Sequence, residues 1–183
     1  MRQLIIRNLE VRKILLLFIV TGIIYLTMLL VTIPKVMEFA NGMKILDMMP
    51  TGYDPDYVNS LLNALGSQGR NVYLFNQLPL DMVFPVINAL TFCLIFAYFF
   101  QKLGKIDSKL FFICYLPLFA GLFDYCENIG IFTMLISYPN NPVILSGVTN
   151  LFSVLKSSFT TIYGLILILV LVVIAIRRFL SKT

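Results

Sequence analysis

A chain of 183 residues that is 59% hydrophobic and only 13% charged departs from soluble globular proteins, which are about half apolar and about a quarter charged. It has no histidine, the commonest metal ligand and general acid–base group, and its three cysteines, Cys93, Cys114 and Cys126, fall in apolar runs without CxxC spacing. A disulfide framework and a zinc site are therefore excluded as expectations, and no metal or cofactor is assigned; the cysteines read as small packing residues.

The apolar residues lie in long runs and give a mean hydropathy of +0.90, the signature of a membrane chain. The first run, residues 14–33, follows a basic start. It is longer than the h-region of a secretory signal and no small-x-small cleavage pattern follows, so it reads as a retained first spanning helix. Residues 34–79 then form a loop with structure of its own. In GYDPDYVNSLLNALGSQGR, Asp54 suits an N-cap, Pro55 the first helical position and Asp56 the first turn. Tyr57, Val58, Leu61, Leu62 and Leu65 share one helical face, and Gly66 suits a C-cap. A second short helix is expected over 68–78, with Val72, Tyr73 and Phe75 turned inward. Two readings of this loop stand: an amphipathic helix resting on the bilayer, or a lid over a polar cavity, with Arg70 reaching Asp81 or the acidic residues below it.

Three further spans follow at about 80–100, 110–137 and 143–176. The last exceeds the roughly 20 residues needed to cross, so it must tilt or project, and its more polar beginning, VILSGVTNLFSVLK, is the end expected to project. The fold class is all-α: a four-helix transmembrane bundle with a partly helical extracytoplasmic loop between helices 1 and 2, forming a single membrane domain over 1–183.

Basic residues set the orientation. Arg2, Arg7, Arg12 and Lys13, then Lys102, Lys105 and Lys109, then Arg177, Arg178 and Lys182 occupy three segments that share one side if the chain crosses four times. The other side carries Lys35, Lys44 and Arg70 spread thinly. The positive-inside rule places both termini in the cytoplasm of a cell-membrane, multi-pass protein. Ten of the 14 basic residues are thereby explained by topology, and the +5 net charge gives no reason to expect a nucleic-acid partner.

GLFDYCENIGIF, residues 121–132, places acids inside the third span. Asp124, Glu127 and Asn128 are related as i, i+3 and i+4 and share one helical face. At about 1.5 Å per residue, Asp124 lies roughly 6 Å, and Glu127 and Asn128 roughly 10–12 Å, outward of the midplane. The same ruler puts Asp81 and Asn88 of span two, and Lys156, Ser157, Thr160 and Thr161 of span four, in the outer half, with Tyr25, Thr27 and Thr32 weaker additions from span one. Stretches such as TFCLIFAYFF and LILILVLVVIAI leave the inner half nearly clean. An ionised side chain at this depth needs a partner, and Lys156 is the first candidate for Asp124 or Glu127. Two carboxylates against one ammonium leave negative charge over, to be met by a proton or a cationic group. The cluster reads either as polar glue between helices or as a site open to the outside, with Arg70, Tyr73, Asp81, Asn88, Asp124, Glu127, Asn128, Lys156 and Thr160 as ligand-binding candidates.

Three segments, GYDPDYVNSLLNALGSQGRNVY, LPLDMVFPVINAL and FDYCENIGIFTMLISYP, together with Lys156, resemble an uncharacterised family of small bacterial four-helix integral membrane proteins over about residues 50–160. The elements that carry the resemblance are Gly66, Gly69–Arg70, Tyr73, Asp81, Phe84–Pro85, Asp124, Glu127–Asn128, Tyr138–Pro139 and Lys156. It implies that these residues belong together and nothing about chemistry.

Three functions compete. The first is a binding or accessory membrane protein whose outer pocket holds a lipid headgroup, a small amphiphile or a partner helix. Membrane lipids are its expected partners, with a membrane-protein partner as a second expectation. The second is a membrane-embedded enzyme on a lipid-like substrate, with Asp124, Glu127 and Lys156 as catalytic candidates. The third is a small transporter, against which stand the clean inner half and the lack of matching halves. No GxSxG, HExxH or P-loop pattern occurs. The first reading is preferred.

Overall fold

The computed structural model describes residues 2–140 and 142–180; Lys182, one of the residues used for orientation, lies outside them. Among the described residues the chain is all-helical, with no strand. A short helix α1 (Arg2–Arg7) precedes α2 (Val11–Thr27), which runs through a π turn at Met28–Thr32 into α3 (Ile33–Phe39). After a non-helical stretch come α4 (Pro55–Val72), a π turn at Tyr73–Gln77 and α5 (Leu78–Lys102). A 3₁₀ segment, Lys109–Tyr115, leads into α6 (Leu116–Ser137), and α7 (Val143–Leu180) ends the fold. Four stretches are long and apolar enough to cross a membrane: Val11–Phe39, Pro55–Lys102, Lys109–Ser137 and Val143–Leu180.

The helices α5 and α6 form the centre. The face of α6 packs on both α5 and α7, whereas α2 packs chiefly on α5 and stands at the periphery. A buried hydroxyl pair, Thr21 to Thr91 at 2.9 Å, ties α2 to α5. Along α2 and α7, Leu15, Leu16, Phe18, Ile23, Leu165, Ile168 and Leu169 remain exposed; helices apolar nearly all round need an apolar surrounding. Small residues let α6 approach its neighbours. A Cβ on Gly130 would stand 2.1 Å from Thr149 Oγ1 of α7, and one on Gly121 would stand 3.0 Å from the Pro85 carbonyl oxygen of α5.

Two apolar cores result. One, at the end near the chain termini, gathers Phe96, Phe100, Phe111, Cys114 and Tyr163. The other lies at the opposite end, here called the loop end. It joins Val36, Ala40, Ile45 and Leu46 to Val58, Leu61, Leu62 and Leu65 of α4 and to Ile131 and Met134 of α6. The α4 side chains in it are only 0–2% exposed, so the apolar face of α4 is buried in protein and does not rest on a bilayer.

The segment between the first two spans differs from the sequence expectation in three ways. The first helix continues to Phe39, so the non-helical stretch is 40–54, interrupted by one 3₁₀ turn at Leu46–Met48. Helix α4 does begin as expected, with Asp54 Oδ1 accepting the Tyr57 N–H at 2.7 Å and Pro55 at the first position. It breaks at Gly66, whose φ of 59° is open to glycine at no steric cost. Beyond the break residues 68–78 are helical as expected, but the helix does not end there: it runs through the π turn directly into α5. Within that turn Tyr73 and Gln77, four apart, face inward and are fully buried, while Phe75 between them is 70% exposed, contrary to the expectation that it turns inward.

Candidate functional site

The site forms where α5, α6, α7 and the 40–54 stretch meet at the loop end. On α6, Asp124 and Glu127 point at α7, and Lys156 comes from α7 to meet them. Its Nζ lies 3.0 Å from Asp124 Oδ1 and 2.5 Å from Glu127 Oε2. Glu127 is wholly buried, whereas the Asp124 and Lys156 side chains keep 14% and 15% exposure. One turn before Lys156, buried Ser153 sets its hydroxyl against the Glu127 carboxylate. Asn128 Nδ2 donates to the Asp81 carbonyl oxygen at 2.8 Å and so fixes α6 to α5.

The stretch 40–54 completes the cluster. The Asp47 carboxylate accepts a hydrogen bond from the Tyr73 hydroxyl at 2.6 Å and lies near the buried Asp81 carboxyl. The buried Tyr53 hydroxyl lies near enough to Glu127, Asp47 and Lys156 for their charges to act on it. Burial, then the neighbouring Glu127 and Asp47 charges, raise the Tyr53 pKa well above its ordinary value, so this group stays a neutral donor. It has no hydrogen-bond partner among the described residues. Tyr53 is held from behind, its N–H donating to Asn150 Oδ1 of α7 at 2.8 Å. Gly52 is required there twice over: its φ is +95°, and a Cβ would fall 2.5 Å from that same Asn150 oxygen.

Two carboxylates, Asp124 and Glu127, thus pair with the Lys156 ammonium, and the Asp47 and Asp81 carboxyls lie near enough for their charges to act on it. Asp47, Tyr53, Gln77, Asn150 and Ser153 are participants or supports that sequence reasoning did not single out. Gln77 accepts from the Thr32 hydroxyl and carries the link between the first and second spans. The only sequence signal for Asp47 and Tyr53 was their place in MKILDMMPTGYDP, directly before the α4 cap.

Other sequence candidates lie elsewhere. Arg70 meets neither Asp81 nor the Asp124–Glu127 pair, contrary to expectation. Its guanidinium stacks 4.1 Å from the Tyr138 ring centre, and its Nη1 donates to the Leu62 carbonyl oxygen at 2.7 Å. The Gly66 break redirects the chain, and Arg70 satisfies a carbonyl in the last turn before that break. Asn88 donates to the Tyr163 hydroxyl at 3.3 Å, and Thr160 also faces that hydroxyl. These three make a second polar group, two turns along α5 from Asp81. Tyr73 joins the cluster through Asp47. A shallow hollow of about 480 Å³ at the loop end is lined by Asn59, Ser60, Asn63, Tyr138 and Pro139, and by none of the acidic residues. No group of three or more Asp, Glu or Cys side chains is arranged to hold a metal among the described residues.

The class these observations define is an all-helical chain with four helices long and apolar enough to cross a membrane and a buried acidic cluster braced by one lysine. Comparison with family models, with characterised proteins and with solved structures gives no match to this chain.

Proposed function

We propose that this is a multi-pass membrane protein with both termini cytoplasmic, and that its acidic cluster lies in the extracytoplasmic half of the bundle as a binding site for the positively charged head of a lipid or small amphiphile. Its role is binding or accessory rather than catalytic. One observation carries this reading: Asp124 and Glu127 pair with the single ammonium of Lys156 in a largely buried setting, with the Asp47 and Asp81 carboxyls near enough to act on it as well. Carboxyl groups outnumber the ammonium here, and a low-dielectric surrounding makes an excess of negative charge costly until a cation meets it. Among the described residues of this cluster an anionic head finds one cation, Lys156, already engaged by two carboxylates.

The 40–54 stretch then acts as the cover. It contributes Asp47 and Tyr53 to the cluster and is held to α7 through Asn150. A ligand reaches the carboxylates when that hold releases. The enzyme reading is weaker because the Lys156 ammonium, paired with both Asp124 and Glu127, has no free electron pair for nucleophilic work.

The test is a thermal titration of the full chain in maltoside micelles with dodecyltrimethylammonium and, separately, dodecyl phosphate. The cationic amphiphile should raise the melting temperature saturably and the anionic one should not. Asp47→Asn, which keeps the shape and removes a charge, should shrink the rise. Equal responses to both amphiphiles, or an unchanged rise in Asp47→Asn, would overturn the proposal.

A further inference from the structure

A second charged feature lies at the opposite end, among the chain termini. Where α5 ends beside the last turns of α7, a cavity of about 460 Å³ is lined by Lys102, Leu103, Ile174, Arg177 and Arg178. Three of its five lining residues are cationic and the other two are apolar. The nearest acid in sequence, Asp107, is taken by Arg2 at 2.6 Å. Lys102 rests 4.7 Å over the Tyr98 ring, which steadies the ammonium without neutralising it. Arg177 touches the Leu103 carbonyl oxygen through Nη1 at 3.5 Å, a long contact that leaves the rest of its five-donor fork able to turn to an anion.

The position relative to the apolar surface sets the kind of anion. Below the cavity α7 is apolar around most of its circumference: Leu165, Ile168, Leu169, Leu171, Val172, Val173 and Ile176 are exposed, and Leu171, seven residues before Arg178 and so on the same helical face, lies on the cavity side. A ligand with a phosphate at the cavity and hydrocarbon along α7 past Leu171 satisfies both surfaces at once. Basic pockets between spanning helices at the cytoplasmic boundary are suited to anionic headgroups on these physical grounds.

We infer that the cavity between the ends of α5 and α7 binds the phosphate of an anionic phospholipid, with Lys102 and Arg177 as the principal contacts and Leu103 and Ile174 as the apolar wall. This site is separate from the acidic cluster and does not depend on the function proposed for it.

The experiment uses the full chain in maltoside micelles, and native mass spectrometry reads the retained lipid. Phosphatidylglycerol is compared with phosphatidylcholine of the same acyl chains, and the anionic lipid should be retained preferentially. The double variant Lys102→Gln/Arg177→Gln alters two surface residues and should fold, as a helical circular-dichroism spectrum checks. Its affinity for phosphatidylglycerol should fall about thirtyfold, from two basic residues lost near the lipid surface. Arg12→Gln/Lys105→Gln removes two exposed charges from the same end but outside the cavity, and its affinity should stay within twofold or so of the unaltered chain. Equal losses in both double variants would mean diffuse attraction to basic residues and would overturn the site. Displacement of the lipid by excess inorganic phosphate, with no dependence on acyl chains, would point to a soluble anion and overturn the lipid assignment.

Discussion

Replacing Lys156 by methionine probes the centre of the acidic cluster with little change in side-chain volume. The substitution removes the ammonium that stands 3.0 Å from Asp124 and 2.5 Å from Glu127. Asp124 keeps slight access to the surroundings, but Glu127 is fully buried, and without the ammonium no cation faces its carboxylate. Breaking a buried ion pair from one side costs about 3–5 kcal/mol, because the remaining charge is stranded. For a chain of this length 1 kcal/mol corresponds to about 2–4 °C, so the melting temperature in detergent should fall by roughly 6–20 °C. Lys105 is exposed at the other end, and Lys105→Met should change stability by about 0.5 kcal/mol or less. The double variant Lys156→Met/Glu127→Gln should recover part of the loss, since no buried Glu127 charge is then left alone. A Lys156→Met protein that melts with Lys105→Met would refute the reasoning, because the lysine would then be solvated rather than paired.

Other outcomes can be checked alongside. In a Cys126→Ser background, a cysteine placed at exposed Asn59 should react with an impermeant thiol reagent in intact cells and one at Ser108 should not; the reverse pattern would invert the orientation. Gly130→Val should destabilise the α6–α7 contact by about 1–3 kcal/mol in denaturant titration, since its Cβ would strike Thr149, whereas Gly147→Ala meets nothing within 4 Å and should be close to neutral. Burial raises the Tyr53 pKa in the folded chain, so the stability this gives is complete below about pH 10, the unfolded value, and is lost as pH rises from there toward the folded value. Tyr53→Phe should therefore lose less stability between neutral and strongly alkaline pH than the unaltered chain, and parallel curves would remove that role.

The linear order of residues determined the four long apolar helices, because hydrophobic length is a property of the run itself. It also determined the start of α4, since Asp54, Pro55 and Gly66 act through backbone geometry within a few residues. The approach of Lys156 to Asp124 and Glu127 was legible for a related reason. Helical spacing puts the two acids on one face, and a charge so placed has few partners to choose from. Only the tertiary structure decided that Asp47 and Tyr53 come beside this group. They lie in a stretch without periodicity, where no face can be read, and their direction is set by contacts with Tyr73 and Asn150 that are 26 and 97 residues away in the chain. Arg70 turned to Tyr138 rather than to the acids for the same reason: the backbone angle at Gly66, not the sequence spacing, chose which way the chain beyond it would point.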